Sequence, residues 1–150
     1  MKRSRNRLRA ALRLAALAFA LSSAPAQAQE VSLDRLAGKW TFNLSWGGLV
    51  NDTGTLMARK AGNGIEMTCT DGCNTPPFLR ASAQGGATVW EFWPEASVQS
   101  KCPEDKGWRP VQPVISPDAR RIDFWYVLRV SGDCSKFLKG APAKYSLTRE

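Results

Sequence analysis

The sequence predicts an all-β domain: an antiparallel up-and-down meander of about eight strands, closed or nearly closed into a barrel, with one short helical turn before the first strand. Three observations predict this fold. From Trp40 to Trp46, large apolar side chains alternate with small polar ones, which is the period of a strand with one buried face. Similar runs recur at intervals of roughly ten residues, separated by turn-forming residues. Closure into a barrel suits such a meander because it removes exposed sheet edges.

Each predicted element has a local reason. A helical turn is expected over residues 32–38, capped by Ser32 and ended by a glycine. The run Ala-Gly-Asn-Gly at 61–64 predicts a tight hairpin, because Asn and Gly tolerate a positive φ. Pro110 and Pro113 confine the sixth run to a sheet edge or to bulged pairing. The predicted strands cover residues 39–46, 53–60, 65–69, 78–83, 88–93, 108–115, 121–130 and 144–149.

The first 28 residues are predicted to be a cleaved signal peptide. A basic start without acidic residues precedes an apolar run, and Ala26 and Ala28 form the small-x-small pattern of a cleavage site. The apolar run is shorter than the about 20 residues of a membrane-spanning helix. We therefore expect residues 29–150 to form a single domain, periplasmic or secreted, with no stable membrane insertion after cleavage. The basic residues of the leader are Lys2, Arg3, Arg5, Arg7, Arg9 and Arg13.

Most of the basic charge belongs to this leader. The whole chain has 21 basic and 13 acidic residues, a net charge of +8. Without the six basic residues of the leader, 15 basic and 13 acidic residues remain, a net charge of +2. The mature chain has no dense basic run, so the clustered cationic footprint of a nucleic-acid-binding protein is missing. Nucleic acid is therefore not an expected partner.

The four cysteines predict two disulfides in an exported chain. A zinc site is disfavoured, because Cys69 and Cys73 have a wider spacing than the usual C-x2-C pair, and Cys102 and Cys134 stand singly. Three pairings are possible. The pairing Cys69–Cys73 with Cys102–Cys134 is favoured, since each bond joins neighbours or facing loops.

The two ends of the domain resemble the calycins, which include lipocalins, fatty-acid-binding proteins, avidins and small bacterial protease inhibitors of lipocalin-like shape. The resemblance rests on Leu36-x-Gly38-x-Trp40 at the first strand and on Arg149 in the last strand. It implies that Trp40 packs at the closed end of a small barrel and that Arg149 lies across it. Alternation along the last strand independently allows an inward Arg149, which would need a partner such as an indole ring.

The residues give little support for catalysis. The chain has no histidine, which removes histidine-assisted nucleophilic catalysis and most transition-metal sites. Glu91 and Asp123 lie between apolar residues on predicted strands, but we interpret them as solvated strand charges. We therefore expect no enzymatic activity, no cofactor and no metal.

The candidate binding residues are aromatic or lie beside an aromatic residue. Trp93 and Trp125 fall on the strand faces opposite the apolar sets, and Trp108 lies at a loop edge beside Arg109. Tryptophan and arginine concentrate in binding hot spots, so these four residues are the predicted recognition patch. Trp40, Trp46 and Trp90 are instead expected in the core.

The predicted function is that of an exported non-enzymatic binding protein of calycin-like shape. It would bind either a small apolar ligand inside the barrel or a periplasmic or extracellular protein. The alternative is a periplasmic enzyme inhibitor that acts through the disulfide-fixed loops 70–77 and 94–107. Many large side chains are predicted to point inward, which favours a largely filled barrel over one with a ligand cavity.

Overall fold

The computed structural model describes residues 31–46, 50–97, 100–130, 133–137 and 142–150. The predicted signal peptide at 1–28 lies outside these ranges. Within them the chain is all-β, with only short 3-10 turns besides the strands. The expected all-β antiparallel meander is therefore confirmed. None of the helical segments within these ranges has the length and hydropathy of a membrane-spanning helix.

Eleven strands and three 3-10 turns make up the described fold. The turns are Leu33–Leu36, Pro94–Ala96 and Pro103–Asp105. The first six strands are β1 (Gly38–Trp46), β2 (Val50–Ala61), β3 (Gly64–Asp71), β4 (Pro77–Gln84), β5 (Ala87–Phe92) and β6 (Arg109–Val111). The others are β7 (Val114–Ile115), β8 (Arg121–Tyr126), β9 (Arg129–Val130), β10 (Asp133–Phe137) and β11 (Ala143–Arg149).

Nine strands form one curled antiparallel sheet in the order β6-β5-β4-β3-β2-β1-β11-β8-β7. The first strand pairs with the last, so the chain ends meet in the middle of the sheet. The two edge strands, β6 and β7, are consecutive in the chain and only Gln112 and Pro113 separate them. The sheet thus curls into an incompletely closed barrel. Strands β9 and β10 form a separate two-stranded ribbon.

Two predicted strands are divided in the structure. The sixth becomes β6, which pairs with β5, and β7, which pairs with β8. Its prolines explain the division, because proline has no N–H to give to a ladder. The seventh predicted strand ends at Tyr126, the last residue of β8, and the chain then continues into β9. The partner of Tyr126 on β11 is Ala143, which directly follows Pro142. Strand β10 was expected to be loop. It pairs with β9, the strand just before it in the chain, and its residues lack an alternating apolar pattern.

The inner face of the sheet is filled with aromatic rings. The alternation on β1 is confirmed, because Trp40, Phe42 and Leu44 are buried. Across the interior, ring centroids lie 4.8 Å apart for Phe42 and Phe78, and 5.4 Å apart for Phe78 and Phe92. The Tyr145 ring continues this chain of contacts, at 4.8 Å from Phe92 and stacked at 4.8 Å on Phe124. The described interior is therefore packed, as the large inward side chains predict.

The 3-10 turn Leu33–Leu36 covers one end of the barrel, called here the closed end. The Trp40 indole N–H donates a 2.9 Å hydrogen bond to the Leu36 carbonyl, which fixes the turn to β1. Ser32 does not cap this turn with its side chain as predicted; its carbonyl instead accepts the Arg35 N–H at 3.0 Å. Trp40 and Arg149 are direct partners across β1 and β11.

The Arg149 side chain also belongs to the closed end. Its Nη1 donates to the Arg35 carbonyl at 2.6 Å, and this supplies the partner that an inward arginine needs. A side chain at Gly38, where φ is +127°, would meet the Arg149 guanidinium at 3.5 Å. The register brings Arg149 to Trp40, and stacking of the cation on the indole stays a prediction.

Both favoured disulfides are confirmed. Cys69–Cys73 closes the loop that follows β3, and Cys102–Cys134 joins the loop between β5 and β6 to β10. Because the meander is antiparallel, both bonds lie at the barrel end opposite the closed end. Two disulfides in a small domain are typical of proteins from oxidising compartments.

Candidate functional site

Two indole rings meet where β5 ends and β6 begins. Trp93 directly follows β5 and Trp108 directly precedes β6, and these strands are antiparallel neighbours. The ring centroids are 5.3 Å apart at an interplanar angle of 89°, an edge-to-face contact. Both indoles are partly exposed, and Trp93, which follows the buried Phe92, also packs against the core. We call this pair the indole surface.

Arg80 fixes the position of the indole surface. It lies on β4 directly opposite Glu91 on β5, and its Nη2 is 2.7 Å from the Glu91 carboxylate. The Arg80 guanidinium carbon is also 4.3 Å from the centre of the Trp108 ring, a cation–π contact. The side chains of Arg80 and Glu91 are 40% and 24% exposed, so the pair is only partly screened by solvent. Trp108 thus packs against an ion pair whose two residues lie on β4 and β5, and this contact fixes its position.

The sequence predicts Arg109 as a recognition residue, but in the structure its side chain binds backbone carbonyls. Its guanidinium donates to the carbonyl of Glu104 and, at 3.3 Å each, to those of Pro103 and Trp108. These bonds hold the turn Pro103–Asp105 against the start of β6. Arg109 therefore lies beside the indole surface and supports the loop that carries it.

Trp125 lies apart from the other three predicted binding residues. It is on β8, which is separated from β5 by the divided strand of β6 and β7. Its side chain is 49% exposed, and Lys144 Nζ lies 5.5 Å from the ring centre. The other exposed large apolar side chains in the described ranges, Val114 and Val127, belong to the same region of the chain. The structure therefore brings together Trp93, Trp108 and Arg109 but not Trp125.

The two candidate carboxylates do not converge on one site. Glu91 is paired with Arg80, whereas Asp123 on β8 accepts Arg121 Nε at 2.9 Å and has Lys144 Nζ at 3.8 Å. Burial raises the pKa of Asp123, but hydrogen bonds from Arg121 and Ser146 and the nearby cations lower it further, so the net shift is downward. No group of three or more possible metal ligands occurs in the described part of the chain.

One buried acid was missed in the sequence. Asp105 is a charged residue in the loop between β5 and β6, yet it is 0% exposed. Its carboxylate accepts the Ser100 hydroxyl at 2.7 Å and the Tyr126 hydroxyl at 3.4 Å. Burial, together with the charge of Asp105, raises the pKa of Tyr126. Because loop residues meet β8 only in three dimensions, no local pattern in the sequence marks this contact.

A second polar contact fastens the same loop. The Ser97 and Tyr145 hydroxyls lie 2.6 Å apart, both buried, and burial raises the pKa of Tyr145. The Asn74 N–H donates to the Ala96 carbonyl at 2.9 Å, which ties the Cys69–Cys73 loop to the loop after β5. The loops around the indole surface are thus fixed by hydrogen bonds as well as by disulfides.

An open hollow of about 330 Å³ adjoins the indole surface on the outer face of β3, β4 and β5. It shares Arg80 and Glu91 with the ion pair beneath Trp108. The residues lining it are Ala61, Ile65, Glu66, Arg80, Ala81, Ser82, Gln84 and Glu91. The hollow is therefore a polar recess next to the ion pair that holds Trp108.

Comparison with protein families, with curated proteins and with solved structures finds no match to this chain.

Proposed function

We propose that the chain is an exported, non-enzymatic binding protein that recognises a protein partner through the indole surface. The observation that supports this proposal is the edge-to-face pair of Trp93 and Trp108, which is partly exposed and held by the Arg80–Glu91 ion pair. Rigid, partly exposed tryptophans beside arginine are the usual composition of protein-binding hot spots. Because the residues are already fixed, binding would cost little ordering entropy.

The packed interior supports a protein partner over a small apolar ligand. Five inward rings, all 0% exposed, contact one another across the barrel: Phe42, Phe78, Phe92, Phe124 and Tyr145. Ligand pockets usually enclose several hundred cubic ångströms of apolar space. In the described ranges these rings occupy the place that such a ligand would take. Recognition is therefore assigned to the outside of the barrel, on a rigid scaffold.

The second candidate function is that of a periplasmic enzyme inhibitor. The observation that favours it is the fixed arrangement of the two disulfide loops beside the indole surface, joined by the hydrogen bond from Asn74 to Ala96. Pre-organised loops suit inhibitors because their backbone moves little on binding. The two disulfides and the predicted signal peptide together support a periplasmic or secreted location.

Site-specific photo-crosslinking in the protein's own host tests the proposal. Benzoylphenylalanine placed at Trp108 should yield a discrete adduct with one polypeptide. The same group at Thr55, which points outward on β2 away from the indole surface, should not. Native mass spectrometry of the purified chain should show that polypeptide as added mass. An added mass of a few hundred daltons without a crosslinked protein would instead indicate a small-ligand carrier.

Replacing Trp108 should change stability little. We expect Trp108→Ala to lower the free energy of unfolding by less than about 1 kcal/mol, because the lost contacts are one cation–π and one edge-to-face pair at the surface. Urea denaturation of the folded domain measures this. Trp90→Ala is the matched control: Trp90 is buried in the core, so its loss should cost about 3–5 kcal/mol. Equal losses for the two variants would mean that Trp108 is a core residue.

A further inference from the structure

The hollow beside the indole surface is built on a row of facing charges. Glu66 on β3 is the direct partner of Arg80 on β4, and Arg80 is the direct partner of Glu91 on β5. All three side chains line the hollow and are partly buried. The two carboxylates thus flank one guanidinium across three adjacent strands. Direct cross-strand partners on one face lie close enough for their side chains to interact.

The lining of the hollow holds two acids and one base, although Arg59 on β2, the other direct partner of Glu66, completes an alternating row of four charges. Arg80 gives both Nε and Nη2 to the same Glu91 oxygen, each at 2.7 Å. Among the side chains that the structure describes, none bonds the Glu66 carboxylate. Two acids therefore face one base, which leaves the hollow with a net charge of −1. Arg59 is the partner of Glu66 on the other side, but it is exposed and does not line the hollow.

The indole surface itself carries further negative charge. Glu95 accepts the Trp93 indole N–H at 3.3 Å, so a second carboxylate lies at the indole surface. Arg109, beside the indole surface, has its guanidinium on backbone carbonyls of its own loop. A partner that covers the indoles would therefore meet Glu95 and, in the hollow, Glu66, whose carboxylate is bonded by none of the described side chains. Charge complementarity across an interface selects partners and fixes their register.

We propose that the hollow takes an arginine side chain of the protein partner, with Glu66 as its counter-ion; this rests on the proposed function. The unpaired Glu66 carboxylate offers two oxygens to the two parallel N–H groups of a guanidinium. The Gln84 amide N–H donates to Ser82 Oγ at 2.9 Å, and the second oxygen of Glu91 and the amide oxygen of Gln84 remain on the rim to accept further N–H groups. The indole surface then packs against apolar residues that flank the arginine.

The first test titrates the mature chain with N-acetylarginine amide and follows the indole N–H of Trp108 and the Nε–H of Arg80 by NMR. N-acetylcitrulline amide, which has the same shape without the charge, is the matched probe. We expect the arginine probe to shift both signals and to bind about fivefold more tightly than the citrulline probe. The difference should shrink at high salt, because the pair is partly exposed. Equal effects of the two probes would overturn the proposal.

Variants of Glu66 test whether its carboxylate causes the preference for the charged probe. Glu66→Gln should remove the preference for the charged probe, and Glu66→Asp should keep most of it. Asp34→Asn is the control, since Asp34 is an exposed acid that pairs with Lys60 at the closed end. A preference that survives Glu66→Gln, or one that Asp34→Asn removes, would contradict the assignment to this hollow.

The crosslinking experiment separates the two proposals. If Glu66→Gln weakens crosslinking from position 108, both stand. If crosslinking from position 108 is unchanged in Glu66→Gln, the indole surface binds a protein but the arginine subsite is wrong. If the charged probe binds through Glu66 while position 108 crosslinks no polypeptide, the hollow binds cations and the protein-binding function fails.

Discussion

Trp40→Ala should lower the free energy of unfolding by about 3–5 kcal/mol, the range of buried tryptophan truncations. Trp40 is 0% exposed, and its indole N–H donates to the Leu36 carbonyl at 2.9 Å. Truncation would leave a cavity between β1 and the 3-10 turn and would leave that buried carbonyl without its donor. Urea denaturation followed by circular dichroism measures the loss.

Two controls separate the closed-end role from a general effect of losing an indole. Trp125→Ala removes a side chain that is 49% exposed, and it should cost less than about 1 kcal/mol. Trp40→Phe keeps much of the apolar volume and should cost less than Trp40→Ala. A Trp40→Ala protein as stable as the parent chain would refute the role of Trp40 in holding the turn.

Removing the Cys102–Cys134 bond should be the second large loss. In the double variant Cys102→Ala/Cys134→Ala, a crosslink across 32 positions of sequence disappears. The entropy that such a loop restores to the unfolded chain corresponds to about 3–4 kcal/mol. The buried Ser97–Tyr145 and Ser100–Asp105 contacts are in the loop that this bond holds. Amide hydrogen exchange of residues 100–107 should therefore rise together with the loss in stability.

The other disulfide is the internal control. Cys69→Ala/Cys73→Ala opens a crosslink across only four positions, so the expected loss is smaller, about 2 kcal/mol. It should leave hydrogen exchange of residues 100–107 nearly unchanged. If the two double variants lost equal stability, loop length would not be the dominant contribution, and native-state contacts at Cys69–Cys73 would have to supply the difference.

The two proposals place function on the most regular part of the barrel. Arg80, Glu91 and Glu66 lie within paired strands, and only the indoles lie at strand ends. A site on strands keeps its geometry better than one on loops, which favours selective rather than adaptable binding. The proposed partner therefore presents an arginine and an apolar neighbour at a fixed spacing.

Much of the architecture is determined locally. The alternation along β1, β8 and β11 assigns the buried faces because side chains in a strand point to opposite faces in turn. The turn at 61–64 and the edge position of the proline-rich strand follow from local backbone chemistry in the same way. The sequence alone also favoured the two disulfide pairs that the structure contains.

Tertiary structure decided what the sequence left open. The buried Asp105 depends on Tyr126, which is 21 positions away, and strand β10 lacks an alternating apolar pattern, so local periodicity predicts neither. The site depends on register as well. Composition predicted Trp93, Trp108, Arg109 and Trp125 as one group, but pairing of β5 with β6 unites the first three, and pairing of β8 with β7 places Trp125 elsewhere. Glu66 and Arg80 are 14 positions apart in the sequence and become neighbours only because β3 and β4 pair in one register, which is set by the burial of one face.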